Sequence, residues 1–457
     1  MSGIFGAYSS SGTTVLEEVY LGLYALQHRG QESAGIAWIE DGRVASARGI
    51  GLLHNAVDQQ KLSREAAACA IGHVRYAPVA GSQSHNLLPI GAKYARGPVA
   101  VSHDGLITNL ADLTKQLELR GSIFHSSTDS EAILHLMAQK SHMQPLDALV
   151  DALRRLEGSY AIAVLLENCL VAARDPWGFK PLVLGQNGGT FYVASESCAL
   201  DIVGARLLRD IEPGEILVID GRGTRSLRIH HGAPCKGMRC SFEYVYTARP
   251  DSIIDGRSVY AARKEMGRRL ALKSPCDGAD LAVGLPDSGT TAAIGYAQES
   301  KIPLEMAIVR NRYVGRTFIQ QTEKVRELGV RIKLNPISEA FLGKKAVLID
   351  DSIVRGKTAE QIVSMIRGSG AAEVHLRIAS PPILHPCIYG IDTRRDEPLA
   401  AACMSVEELR RKIGASSLGY LSEEDLTASV GLPQEDLCTA CFTGRYLSSK
   451  NPMKEGS

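Results

Sequence analysis

No stretch of this 457-residue chain reaches about 18 uninterrupted apolar residues, so no membrane span is expected. An excess of one charge sign is also missing. Lys and Arg number 51 against 50 Asp and Glu, a formal net charge of +1. That balance argues against a general nucleic-acid or membrane surface. The opening residues, Met1-Ser2-Gly3-Ile4-Phe5, carry neither a charged n-region nor a long apolar h-region, so no secretory signal is expected. Ten cysteines are too few for a disulfide scaffold in a chain of this size. Neither an internal repeat nor a low-complexity tract is present. What remains is a cytoplasmic globular protein, with 45% hydrophobic and 22% charged residues and room for two or three domains.

Two halves are legible. Up to about residue 230, short strand-like runs dominate: 34–39, 99–103, 160–165, 169–173, 191–194 and 214–218. Helical spacing appears over 15–26 and over 132–156, with an interruption near Pro145. This is an α+β pattern. An irregular stretch over 232–240 marks a boundary, which gives domains of 1–231 and 232–457. Beyond it strands and helices alternate (281–285, 290–298, 304–309, 346–349, 359–366, 374–378), the signature of a parallel sheet with covering helices.

The densest chemistry lies in Ala346-Val347-Leu348-Ile349-Asp350-Asp351-Ser352-Ile353-Val354-Arg355-Gly356-Lys357-Thr358. A buried strand runs into two carboxylates, then a short loop, then a helix start. Free N–H groups at a helix N-terminus suit an anion. Gly356 permits close backbone approach, and Ser352 and Thr358 add hydroxyls. Asp350 and Asp351 repel phosphate but suit sugar hydroxyls or a Mg²⁺ ion. Sugar and phosphate recognised together point to a phosphoribosyl donor. An ordinary strand-to-helix turn with an acidic pair is the plainer alternative. Upstream, Gly284-Leu285-Pro286-Asp287-Ser288-Gly289-Thr290-Thr291 repeats the pattern of strand end, small residues and helix start, and suits pyrophosphate. Three arginines (Arg310, Arg312, Arg316) follow it. Cys438-Thr439-Ala440-Cys441 is a C-x-x-C pair that alone leaves metal or redox chemistry open.

The stretch from Ala346 to Thr358 resembles the phosphoribosylpyrophosphate (PRPP) motif of type I phosphoribosyltransferases. Further blocks resemble the glutamine PRPP amidotransferases: Gly3-Ile4-Phe5-Gly6, Leu26-Gln27-His28-Arg29-Gly30-Gln31-Glu32, Gly72-His73-Val74-Arg75-Tyr76-Ala77, Glu243-Tyr244-Val245-Tyr246, 311–319 and Cys441-Phe442-Thr443-Gly444. The resemblance implies an N-terminal-nucleophile (Ntn) hydrolase sandwich followed by an α/β type I phosphoribosyltransferase domain. It also implies transfer of nitrogen to C1 of PRPP with loss of pyrophosphate.

On that basis Asp350 and Asp351 hold ribose hydroxyls or Mg²⁺. Ser352, Arg355, Gly356 and Thr358 hold the 5-phosphate, Asp287 and Ser288 face pyrophosphate, and Arg316 belongs to a lid. Arg75 and Asp129 hold the α-carboxylate and α-ammonium of glutamine. Cys240, Cys387, Cys438 and Cys441 match the [4Fe–4S] ligands of one branch, where the cluster lies away from the chemistry. Nucleotide feedback inhibitors and a homo-oligomer are implied as well.

Two positions depart from the family. Ser2 stands where the nucleophilic Cys is found; a hydroxyl activated by its own α-amine is workable but less nucleophilic than a thiol. Asp104, in Ser102-His103-Asp104-Gly105, stands where an Asn amide joins the Gly105 N–H in stabilising the oxyanion. A carboxylate is acceptor-only when ionised, and loss of one such donor costs roughly 10²–10³ in rate. Gly178-Phe179-Lys180-Pro181 departs mildly, with Lys for the usual Arg. The expectation is an impaired glutaminase half, with ammonia or another amine as donor. The alternatives are an ordinary glutamine-dependent amidotransferase of purine biosynthesis and a regulatory pseudoenzyme that binds PRPP or nucleotide.

Overall fold

The computed structural model describes residues 2–76, 84–167, 169–230, 237–311, 333–393 and 398–447. Two antiparallel sheets are built from residues before 230. The first has seven strands in the spatial order Arg206–Asp210, Val183–Asn187, Thr190–Ala194, Ser2–Ser9, Cys69–Arg75, Ser33–Glu40 and Arg43–Ile50. The second has six: Gly223–Arg228, Glu215–Asp220, Cys169–Arg174, Gly158–Leu166, Gly97–Ile107 and Ile90–Tyr94.

The inner faces meet through small and branched side chains, among them Ile4, Ile71, Ala100, Ala161, Ala163 and Leu217. Small residues let the two sheets approach closely. Helix Leu16–Ala25 covers the outside of the first sheet, burying Val19 and Leu23. Helices Leu110–Glu118, Asp129–Ala138 and Pro145–Arg154 cover the second. The interruption expected near Pro145 is a helix start, where proline's missing N–H costs nothing.

After 237 a four-stranded parallel sheet forms in the order Leu281–Gly284, Lys345–Asp350, Glu373–Ile378 and Ser417–Tyr420. Helices Val259–Lys273, Ser288–Ser300 and Lys357–Gly368 pack on it. The run 304–309 is not a full strand of this sheet. Leu304 makes one parallel bridge to Ala282, and Ile308–Arg310 instead pairs antiparallel with Leu334–Pro336. The expected boundary at 231/232 and the lid residues Arg312 and Arg316 lie outside the described residues.

Candidate active site

At the C-terminal edge of the parallel sheet two strand ends lie side by side, Gly284 in register with Ile349. Open α/β sheets bind ligands at this edge. Asp350 closes its strand and Asp351 follows, 6% exposed. The Asp351 N–H donates to Asp350 Oδ1 at 2.9 Å, and Ser352 Oγ donates to Asp351 Oδ2. Burial, and then the charge of Asp351, push the Asp350 carboxyl well above its ordinary range. Two carboxylates this close resist carrying two charges. A divalent cation, or hydroxyl donors from a sugar, would relieve them.

Gly356 caps helix Lys357–Gly368 with φ of 82°, which a side chain would strain, and places Thr358 in the first turn. Across the edge, helix Ser288–Ser300 begins after Asp287. A Cβ on Gly289 would lie 2.3 Å from the Ile349 carbonyl oxygen, so the start of this helix packs directly on the end of strand Lys345–Asp350. Arg310 donates to Asp287. The acid pair, Ser352, Arg355, Gly356, Thr358, Asp287 and Ser288 therefore lie along one edge of the sheet.

The second candidate centre lies between the two antiparallel sheets. Ser2 opens the strand Ser2–Ser9 opposite Arg75. Asp104 and Gly105 lie on Gly97–Ile107. Arg29, 1% exposed, joins them. Its Nε donates to the Ser2 carbonyl at 2.7 Å, and its Nη2 donates to Asp104 Oδ2 at 3.1 Å. The same guanidinium donates to both oxygens of Glu243 at 2.9 and 3.0 Å and to Glu196 at 2.8 Å. Glu196 also accepts from Ser252 Oγ at 2.7 Å and the Arg249 N–H at 2.8 Å, which ties this centre to the segment leading into the parallel sheet.

Burial opposes ionisation of Asp104, but Lys180 and Arg29 outweigh it and hold the carboxyl well below the usual range. An ionised Asp104 offers no donor to an oxyanion. Gly105 has φ of 141°, and an added Cβ would lie 2.0 Å from the Ser159 carbonyl oxygen, so no other residue fits there.

Asp129 opens its helix but is already engaged. It accepts from His103 Nδ1 at 3.0 Å and from the Ile107 N–H at 3.3 Å. His103, Ile107 and Arg75 all help to hold it ionised against the penalty of burial. Arg75 donates to the Asn86 carbonyl, and Asn86 donates to Ser127 at 2.9 Å. Arg75, opposite Ser2, and Asp129 are thus oppositely charged neighbours, each held by partners that the sequence does not reveal.

The four cysteines converge. Cys240 and Cys438 sit in register on two short parallel strands. Tyr389 N–H donates to Cys387 Sγ at 3.3 Å, and the Cys441 carbonyl accepts from Leu384 and His385 at 3.0 Å each. Burial pushes the Cys240 thiol up to about 12; burial and the charges of Cys240 and Cys387 raise Cys438, and burial and the charges of Cys387, Cys438 and Cys240 raise Cys441. Among the described residues no set of three or more His, Cys, Asp or Glu encloses a single metal ion. Cys438 is buried and Cys240, Cys387 and Cys441 are half-buried; four grouped thiols are the donor type that an iron–sulfur cluster would take.

The segments that carry these cysteines also touch the strand that holds Asp104 and Gly105. Lys180 interacts with both Cys240 and Asp104. Ser159 Oγ donates to the Tyr389 carbonyl at 2.7 Å, and an added Cβ on Gly390 would lie 3.2 Å from Gly105.

Comparison with known proteins agrees with this arrangement. A family model described as a glutamine amidotransferase domain matches residues 80–201. The chain is 43% identical over 466 residues to an amidophosphoribosyltransferase of Methanocaldococcus jannaschii, covering 99% of this chain and 98% of the relative. It is 44% identical over 449 residues to that of Bacillus subtilis, covering 97% and 93%. The solved glutamine PRPP amidotransferase of B. subtilis, complexed with ADP and GMP, superposes with a TM-score of 0.91 at 43% identity over 97% of both chains. Among the described residues no helix is long and apolar enough to cross a membrane. The chain is thus an Ntn-hydrolase sandwich followed by a type I phosphoribosyltransferase unit, and it belongs to the amidophosphoribosyltransferase family.

Proposed function

We propose that this protein, divided near 231/232, transfers nitrogen to C1 of PRPP, forming 5-phosphoribosylamine and releasing pyrophosphate. The observation that carries this is the acid pair at the end of Lys345–Asp350, packed against the start of helix Ser288–Ser300 at Gly289. Asp350 and Asp351 receive the ribose hydroxyls and would hold Mg²⁺. Ser352, Arg355, Gly356 and Thr358 take the 5-phosphate. Asp287, Ser288 and the following N–H groups take the pyrophosphate, with Arg316 as the lid cation. Mg²⁺, when bound, neutralises the leaving pyrophosphate. The protein's part is to hold the amine in line with C1, where orientation removes much of the barrier.

The relatives' names favour glutamine as the nitrogen source over the impaired glutaminase expected from Ser2 and Asp104. In that reading Ser2 attacks the amide, Arg75 and Asp129 clamp the amino-acid end, and Gly105 N–H meets the oxyanion. One observation keeps ammonia as a second reading: Asp104 is ionised where a donor is needed.

The test is to supply PRPP and Mg²⁺ with either glutamine or ammonium and to follow pyrophosphate and glutamate. We expect release with ammonium, and release with glutamine slower by roughly 10². No pyrophosphate from either source would leave a regulatory PRPP- or nucleotide-binding protein. The ADP and GMP in the solved relative support nucleotide control of this chain too, read as inhibition of that release; that the protein acts as a homo-oligomer rests on the family resemblance alone.

We further propose that Cys240, Cys387, Cys438 and Cys441 hold a [4Fe–4S] cluster in a structural role. Anaerobically purified protein should be brown and carry about four irons per chain. Cys438→Ser should lower yield or stability more than Cys69→Ser. Colourless, iron-free and fully folded protein would remove the cluster.

A further inference from the structure

Two buried charged atoms near the glutamine pocket have no hydrogen-bond partner among the described residues: Asp104 Oδ1 and Lys180 Nζ. Both residues are sealed, at 1% and 0% exposure. The nearest ion-pair oxygen to Lys180 Nζ is Glu243 Oε1 at 3.9 Å, too far for a hydrogen bond. That same Glu243 oxygen accepts from Arg29 Nη2, which also donates to Asp104 Oδ2. The pocket wall is therefore one cluster of three carboxylates (Asp104, Glu196, Glu243) and two fixed cations (Arg29, Lys180). His28 Nε2 meets Glu196 at the same oxygen, Oε1, that Arg29 uses, at 2.7 Å. His73 and His103 also face Asp104, and Cys240 faces Lys180.

We propose that Lys180 is a positioning cation of the glutamine pocket, offsetting Asp104 so that an oxyanion can form beside a carboxylate. This rests on the reading that Asp104 lines the pocket where glutamine is hydrolysed. Without Lys180 the three carboxylates would keep Arg29 as their one fixed cation, with His28 against Glu196 and the chain's α-amine toward Asp104, and a developing negative charge would meet that excess at low dielectric. With Lys180 the excess falls to a single charge. The largest favourable influence on Lys180 is Asp104, ahead of Glu243, and the largest on Asp104 is Lys180, ahead of Arg29. Lys180 acts through Asp104 and does not itself touch the reacting atoms.

A double-mutant cycle on the full-length protein tests this. The variants are Lys180→Met, Asp104→Asn and their combination, with Lys180→Arg as the charge-keeping control. The readouts are glutamate release in the presence of PRPP and the thermal midpoint of each variant. With Asp104 in place, Lys180→Met should slow glutamate release about tenfold and lower the midpoint. In the Asp104→Asn background both losses should largely vanish, because contacting charges are not additive. Lys180→Arg should stay within about threefold of the unmodified protein.

If Lys180→Met fails to fold and the double variant folds, the coupling is seen as rescue. Equal losses in both backgrounds, or a double variant that also fails to fold, would mean that Lys180 serves Glu243 or Cys240 instead, and the proposal falls. If the unmodified protein releases no glutamate, the glutaminase reading fails by itself, and the thermal midpoints still decide whether Lys180 and Asp104 are coupled.

Discussion

Asp351→Ala is expected to abolish pyrophosphate release from PRPP, by at least roughly 10³-fold, while leaving the fold in place. The residue follows a buried strand whose Val347, Leu348 and Ile349 are fully enclosed, and those contacts do not depend on its carboxylate. Its removal relieves the repulsion that, after burial, raises the Asp350 carboxyl, so Asp350 should titrate lower in the variant. Stability should be unchanged or slightly higher. The loss should appear with ammonium as with glutamine, because both nitrogen sources meet the same C1. It should also lower kcat and kcat/KM together, the mark of an interaction made in the transition state. Ordinary turnover in this variant would end the sugar-recognition role of the pair.

The candidate transferase site is legible in the sequence because its residues are local. Asp350 to Thr358 and Pro286 to Thr291 are each continuous, and strand, loop and helix start are read from one run of residues. The antiparallel half is less legible. Ser2–Ser9 and Cys69–Arg75, central to the seven-stranded sheet, are buried on both faces and show no alternation.

The links between the halves are invisible in one dimension. Arg29 meets Glu196 and Glu243 across separations of 167 and 214 residues. Arg263 donates to the carbonyls of Tyr244 and Ala248 at 2.7 Å each and interacts with Asp351, which brings the Glu243 segment up to the transferase site. Both arginines are buried cations. Their lengths and charges mark them only as surface residues until their partners are known. The link between the cysteine segment and the Asp104 strand is hidden in the same way. Lys180 is next to Phe179 in sequence, and Phe179 stacks on Tyr389 at 4.1 Å, but the 387–392 segment folds back from the other half.

The pairing of Ser2 with Asp104 leads to the largest expected gain. Ser2→Cys alone supplies a thiolate, but the ionised Asp104 still opposes the oxyanion. Asp104→Asn alone restores an amide donor and leaves a hydroxyl that is slow to attack. Each single change should raise glutamate release by about tenfold or less, and the double change by roughly 10²–10³, since both act on one tetrahedral transition state. Arg29 favours this outcome, because its Nε and Nη2 donate to Ser2 and to Asp104 and fix the two relative to each other. After Asp104→Asn the new side chain can keep its carbonyl oxygen on Arg29 Nη2 and turn its N–H₂ toward the position now held by the unpartnered Oδ1. That substitution also leaves two carboxylates against two cations in the buried cluster, so it should not unfold the sandwich. The measurement is glutamate released from glutamine with PRPP present. Rapid hydrolysis by the unmodified protein would make Ser2 an ordinary nucleophile and Asp104 harmless. A double variant no faster than either single one would mean that the pocket has been rebuilt around a different amine.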